Sequence, residues 1–184
     1  MKRLVILASG NGSLAQAIFD ADLANQGAEV VALICDQPEA YVLQRAELRH
    51  IESYLIPMVA DRNLWNIELE NLIAALRPDL VVSAGFMRIL PEVITTRFKI
   101  INSHPALLPN FPGAHAVRDA LTAGASETGT TIHWVDAGID TGEVIAQEKI
   151  EILPSDTEES LHERIKIIER GLIVATIRQL VPSL

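Results

Sequence analysis

Asn102 and His104 stand two residues apart in the segment NSHPALLPNFPG, and few other parts of the chain pair side chains so suited to chemistry. In an extended strand, residues i and i+2 share a face. Pro105 biases His104 toward extended geometry and ends the strand there. An amide and an imidazole side by side at a strand end can donate hydrogen bonds to a developing oxyanion, and the imidazole can also pass a proton. No Ser or Cys follows at nucleophile-elbow spacing, so covalent acyl-enzyme chemistry has no obvious nucleophile; Ser103 should point to the opposite face. Taken alone, the pair is equally a strand-end cap beside a satisfied histidine. Asp140, in DAGIDTG, bears on that choice: a carboxylate near His104 would favour the imidazolium and fix its orientation. Asp136 in the same segment reads as a turn residue, and for Asp140 the turn and orienting readings are both open.

A second candidate is the loop SGNGSLA, which runs from Ser9 to Ala15 between an apolar run and a helical pattern. Gly10 and Gly12 permit tight backbone close to a ligand, and amides at the start of the following helix can converge on an anion. The pattern formally matches the G-x-G-x-x-G/A fingerprint of dinucleotide binding, with Asp36 as the candidate ribose acid. By itself the loop is a phosphate cradle, for a dinucleotide or a monophosphate, or a structural turn.

The elements that must position these groups follow from hydrophobic periodicity. Strands are expected at Leu4–Ala8, across AEVVALIC, near Tyr54–Ile56, at Leu80–Ser83 and at Lys99–Ser103. Helices are expected near Ser13–Asn25, Glu39–Arg49 and Leu64–Leu76. Strands apolar on both faces and alternating with helices imply an α/β fold, a mostly parallel sheet with helices on both faces. The last third reads as an antiparallel hairpin extending that sheet, followed by a long helix capped by Ser155 or Asp156, with Glu158 or Glu159 in its first turn. One domain spanning residues 1–184 is the simplest organisation. Ligands in such sheets bind beyond the carboxyl ends of the strands, where SGNGS, AGFMRIL, NSHPALLPNFPG and DAGIDTG should converge.

Composition limits the function classes. The 184 residues are 49% hydrophobic and 21% charged, with a net charge of -9 and dispersed Lys and Arg, so a nucleic-acid-tracking surface is not expected. The single cysteine, Cys35, excludes an internal disulfide framework and reads as a buried thiol. The apolar run at the N-terminus leads straight into a glycine turn, which makes it a core strand rather than a signal peptide or membrane span. A cytoplasmic protein is expected. His115 and His133 lie near the expected cleft without a specific role, while His50, His162 and Trp65 read as surface helix positions.

Taken together, ILASGNGS, DLVVSAGFMRIL, INSHPALLPNFPGAHAVRDAL, GTTIHWVDAGIDTGEVIAQ and LHERIKIIER resemble, in this order and over nearly the whole chain, the folate-dependent phosphoribosylglycinamide formyltransferases. The resemblance implies a Rossmann-like twisted sheet and places the family's catalytic trio on Asn102, His104 and Asp140. It implies ribonucleotide contacts at Gly12, Ser13, Leu14 and Glu169, with Lys166 on the same helix. Folate contacts would fall on Arg62, Met87, Arg88, Ile89 and Leu90, on Asn102, and on the turn Asp136, Ala137, Gly138 and Ile139. The implied co-substrate is 10-formyltetrahydrofolate and the implied acceptor is 5-phosphoribosylglycinamide, in a monomer or homodimer. No metal is implied, because the formyl group arrives already activated.

The chain departs from the family pattern at Leu14, where many members have asparagine, leaving only a backbone amide for the phosphate. It departs also at Glu143, where proline is common, and at Ile167 and Ile168, which read as core. On this reading Ala15 serves helix packing and Asp36 is an ordinary turn residue. A hydrolase that deformylates the same folate is the nearest alternative, expected to be disfavoured because this chain opens on the first strand. The initiator-tRNA formyltransferase is disfavoured by the lack of a C-terminal domain or basic surface, and an NAD-dependent oxidoreductase rests on the loop and Asp36 alone.

Overall fold

The computed structural model describes Met1–Leu184. Strands β1 (Lys2–Ala8), β2 (Ala28–Cys35), β3 (Ser53–Leu55), β4 (Leu80–Ser83), β5 (Ile100–His104), β6 (Glu127–Trp134) and β7 (Val144–Glu151) form one sheet in the order β3-β2-β1-β4-β5-β6-β7. Strands β1 to β5 pair in parallel; β6 pairs antiparallel with both β5 and β7. The sheet is therefore mostly parallel with an antiparallel hairpin extension, as the periodicity predicts. The order reverses between β1 and β4, so the loops after these two strands diverge and leave a crevice at their carboxyl ends.

Helices cover both faces because the central strands β1 and β4 are apolar on both faces. Leu4, Ile6 and Ala8 of β1 join a core cluster with Leu14, Ala15 and Ile18 of α1 (Ser13–Asp20), Val42 and Ala46 of α2 (Tyr41–Leu48), and Ile173 and Ile177 of α6 (Glu158–Leu180). Val5 and Leu7 face the other way, onto Trp65, Leu69 and Ile73 of α3 (Arg62–Leu76). Two short helices, α4 (Glu92–Arg97) and α5 (Ala116–Thr122), flank β5 and its loop. No helix is long and apolar enough to cross a membrane.

Several boundaries differ from the periodic reading. Helix α1 stops at Asp20 rather than Asn25, because Ala21 turns extended and Ala24–Gln26 forms a 3-10 turn. Helix α2 begins at Tyr41, after an extended Ala40, where the Val42 amide bonds the Gly10 carbonyl of the first loop. Helix α6 is capped by Thr157 in a capping box with Ser160, not by Ser155 or Asp156; Asp156 instead accepts from Ser160 Oγ and Arg164. Ile167 is 63% exposed and so is not core.

The largest correction concerns Trp65. It reads as a surface position yet is fully buried, stacking on Phe86 and donating its indole N–H to the Ile56 carbonyl at 3.0 Å. A single α3 face must fill the space under β1 and β2, and neighbouring Leu64 and Ile67 are the residues left exposed. Trp65→Ala should therefore cost about 3–5 kcal/mol by urea unfolding. Trp65→Phe, which keeps a ring but loses the N–H donor, should cost less; a surface-like loss below about 0.5 kcal/mol for the alanine variant would contradict this packing.

Candidate active site

The pleat of β5 sorts the chemistry of its last residues. Ile101 belongs to the cluster under α1 and α6, and Ile100 to the cluster under α3, so Asn102 and His104 follow Ile100 and Ser103 follows Ile101. Ser103 accordingly donates its hydroxyl to Glu169 Oε1 of α6 at 2.6 Å, on the face away from Asn102 and His104.

His104 is 4% exposed and has a partner at each ring nitrogen. Nδ1 lies 3.3 Å from Asp140 Oδ2, and Nε2 lies 2.8 Å from the Phe111 carbonyl oxygen. Both partners are acceptors only, so the imidazolium is the form that donates to both. Phe111 and Asp140 themselves sit in left-handed backbone, with φ of 53° and 54°. Such conformations are uncommon for non-glycine residues and persist where the surroundings over-determine them.

Asp140 also accepts the Gly113 amide at 2.8 Å. Burial opposes its ionisation, but hydrogen bonds from the His133 ring and the Gly113 amide, with the charge of His104 and His133, outweigh it and hold the carboxyl below the usual range. Asp136 makes the local turn that presents Asp140, accepting from the Gly138 amide at 3.0 Å and the Thr141 hydroxyl at 2.7 Å. Ala137, Gly138 and Ile139 lie exposed on that turn.

His133, given no specific role by its sequence context, is a fourth member of the cluster. It is 2% exposed and is the cross-strand partner of Asn102 in the β5/β6 ladder. Its Nδ1 donates to the Trp134 carbonyl (2.8 Å), while Nε2 lies 3.3 Å from Asn102 Nδ2 and 3.5 Å from Asp140 Oδ1. Neutral, that nitrogen accepts from the Asn102 amide; protonated, it pairs with Asp140. Only the antiparallel register puts positions 102 and 133 opposite each other. His115, by contrast, is exposed at the start of α5.

The loop after β1 is shaped by α2. Gly12 adopts φ 76°, and a Cβ there would lie 2.4 Å from Val42 Cγ2, so only glycine fits. Arg45 ties down Asn11 through its backbone oxygen at 2.8 Å and its side-chain oxygen at 2.9 Å. Ser13 opens α1, while Leu14 and Ala15 turn their side chains into the core, leaving Leu14 only its amide to offer a ligand.

The loop after β4 leans on the first loop, the Met87 amide bonding Ser9 Oγ at 2.9 Å. Met87 and Ile89 are 72% and 62% exposed, whereas Leu90 is buried beside Phe86. Arg62 reaches the Ile89 carbonyl at 2.6 Å while lying over the Trp65 ring. Arg88 turns back across the crevice to Asp36, with Nε 2.5 Å from Oδ2. Asp36 is thus no ordinary turn residue: it is 2% exposed, its Oδ2 pairs with Arg88, and its Oδ1 is buried without a partner.

On α6, Lys166 pairs with Glu163 at 2.6 Å. Burial pushes the Glu169 carboxyl up, against the opposing effects of the Ser103 hydrogen bond and of Lys166 and Arg170.

The chain is similar to known proteins over nearly its whole length. The formyl transferase family matches residues 2–177. A protein of Mycobacterium tuberculosis named phosphoribosylglycinamide formyltransferase is 46% identical over 182 residues, covering 97% of this chain and 84% of that one. A trifunctional purine biosynthetic protein of Drosophila melanogaster, adenosine-3, is 42% identical over 187 residues, covering 98% of this chain and 14% of its own length. The crystal structure of glycinamide ribonucleotide transformylase 1 from Symbiobacterium toebii superposes with a TM-score of 0.93 at 35% identity, covering 99% of this chain and 88% of that one. With the family matched over almost every residue and the fold shared, this chain belongs to the formyl transferase family.

Proposed function

We propose that this protein transfers the formyl group of 10-formyltetrahydrofolate to the amine of 5-phosphoribosylglycinamide in purine synthesis. The observation that carries the reading is the cluster at the end of β5, where Asn102 stands beside a His104 held between Asp140 and the Phe111 carbonyl. The names borne by the M. tuberculosis and S. toebii relatives support the choice of substrates.

The amine nitrogen attacks the formyl carbon, forming the new C–N bond while charge gathers on the formyl oxygen. The Asn102 amide donates to that oxyanion, an interaction worth ~3–4 kcal/mol in comparable sites. Because both nitrogens of His104 are held, it acts on the oxyanion as a fixed positive charge; passing a proton would require the Phe111 carbonyl to give up its bond. Collapse of the intermediate breaks the bond to the folate nitrogen, and the proton lost by the amine ends on that nitrogen. Asp140 keeps the imidazolium charged and oriented.

The two substrates approach from opposite sides of the sheet edge. The ribonucleotide takes the α1 and α6 side, with its phosphate at the Gly12, Ser13 and Leu14 amides and its glycinamide near Glu169. The folate takes the α3 side, against Arg62, the Met87 to Leu90 segment and the Asp136 to Ile139 turn. Asn102 lies between them, where the formyl group must cross.

A direct assay with the two substrates tests this. Asn102→Ala and His104→Ala should each lower kcat by about 10²–10³, and full activity in either would sink the mechanism. Asp140→Asn, nearly isosteric but unable to hold the charge on His104, should lower kcat at least ~10²-fold with little change in either KM. Formate release without the ribonucleotide would favour the hydrolase instead.

Glu169 generates a pH prediction of opposite sign to an ordinary surface carboxylate. Its raised pKa means that the folded state holds the proton more tightly than the unfolded chain, so stability falls as pH rises from the unfolded value through the folded one. Glu169→Gln, which can still accept from Ser103, should melt higher than the parent at pH 7, the gap closing below about pH 4. Its KM for the ribonucleotide should rise. A variant melting lower at pH 7 would refute the assigned burden.

A further inference from the structure

Between α1 and α6 runs a groove of about 670 Å³ that opens at Ser13, and its walls include Arg45, Arg170 and Arg178. Three arginines along one groove are notable in a chain of net charge -9. The carboxylate in the groove, Asp20, is already paired with Arg49 and accepts from Gln16.

The level of each arginine follows from the fold. Ser103, near the carboxyl end of β5, fixes Glu169, so Arg170 stands at the loop end of the groove. Arg178 lies eight residues, or ~12 Å, further down the helix. Arg45 is spent on the loop itself, holding Asn11 and Gln16 without any carboxylate to neutralise it. The Arg170 guanidinium has no hydrogen-bond or ion-pair partner in the protein, though its charge acts on Glu169. Lys166, one turn earlier, is engaged by Glu163. Leu14, buried in the core, offers the loop no side-chain donor.

We propose that Arg170 is the side chain that closes on the substrate's phosphate opposite the loop amides, with Arg45 positioning the loop beneath it. A phosphate dianion held only by amides keeps uncompensated charge; a guanidinium fork from the facing helix supplies both charge and paired donors. This takes over the role that a polar side chain at position 14 would fill, and assigns phosphate recognition on α6 to Arg170 rather than Lys166. The proposal rests on the proposed function, in which the ligand of this loop is a ribonucleotide monophosphate.

Steady-state kinetics of the full chain test it. Arg170→Gln should raise the KM for the ribonucleotide about tenfold, the loss of one charge-assisted contact, with kcat within about threefold. The folate KM should not move, and the thermal midpoint should fall only slightly, because the guanidinium has no hydrogen bond or ion pair to lose and acts on Glu169 through its charge alone. Arg170→Lys should recover part of the affinity, and Arg178→Gln, the same charge change ~12 Å away, should stay within about twofold. An equal rise in Arg178→Gln would reduce the effect to diffuse charge and overturn the proposal. An unchanged KM in Arg170→Gln, with a raised KM in the loop variant Gly12→Ala, would overturn it while leaving the loop as the phosphate site. No change in either variant would overturn the loop reading as well.

Discussion

The imidazole of His104 is held between two acceptor oxygens, and much of the surrounding structure exists to keep those oxygens in place. One belongs to Phe111, in the loop after β5, and that loop is stitched to the antiparallel hairpin. Thr131 of β6 accepts the Leu108 amide at 3.0 Å and donates to the Ala106 carbonyl at 2.6 Å, and Gln147 of β7 donates to the Leu108 carbonyl at 2.8 Å. The other oxygen belongs to Asp140, in the turn joining the same two strands. Gly142 allows that turn to close, since a Cβ there would lie 1.7 Å from the Trp134 carbonyl oxygen. The hairpin is thus the part of the sheet that sets the hydrogen-bond partners and direction of one side chain, and left-handed backbone at Phe111 and Asp140 is the conformational cost of doing so.

In the proposed reaction the same strand end stands between the two substrates. Alternation along β5 sends Ser103 toward Glu169 of α6, and Asn102 and His104 toward the side where Arg62 and the β4 loop lie. A reaction that moves one carbon between two bound molecules needs them on either side of a shared group, and the two faces of a pleated strand end offer such a division. The burial that raises the Glu169 carboxyl is a local loss of stability, of the kind that clusters at functional sites.

Much of the site was legible as residue types at short spacing. Asn102 and His104 could be paired from period two and the following proline, and the glycine loop from its position after an apolar strand. That Leu14 has only an amide to offer followed from its apolar side chain, and the structure added that this side chain is buried in the core. Trp65 was misjudged because α3 is amphipathic only weakly, with Leu64 and Ile67 exposed beside it, so periodicity could not choose its buried face. Asp36 was misjudged because its partner, Arg88, lies 52 residues away on another loop.

What the amino-acid sequence determined by itself is therefore what depends on local geometry: the alternation of strands and helices, the turns that require glycine, and the side chains that share a strand face. The tertiary structure alone decided the pairings made across the sheet and between loops. His133 opposite Asn102 depends on the register of an antiparallel ladder, and a one-residue slip would turn it to the other face. The Phe111 carbonyl on His104 is a backbone group that no residue type advertises. Arg170 and Ser13 line one groove only because Ile173 and Ile177 of α6 pack beside Leu14, Ala15 and Ile18 of α1.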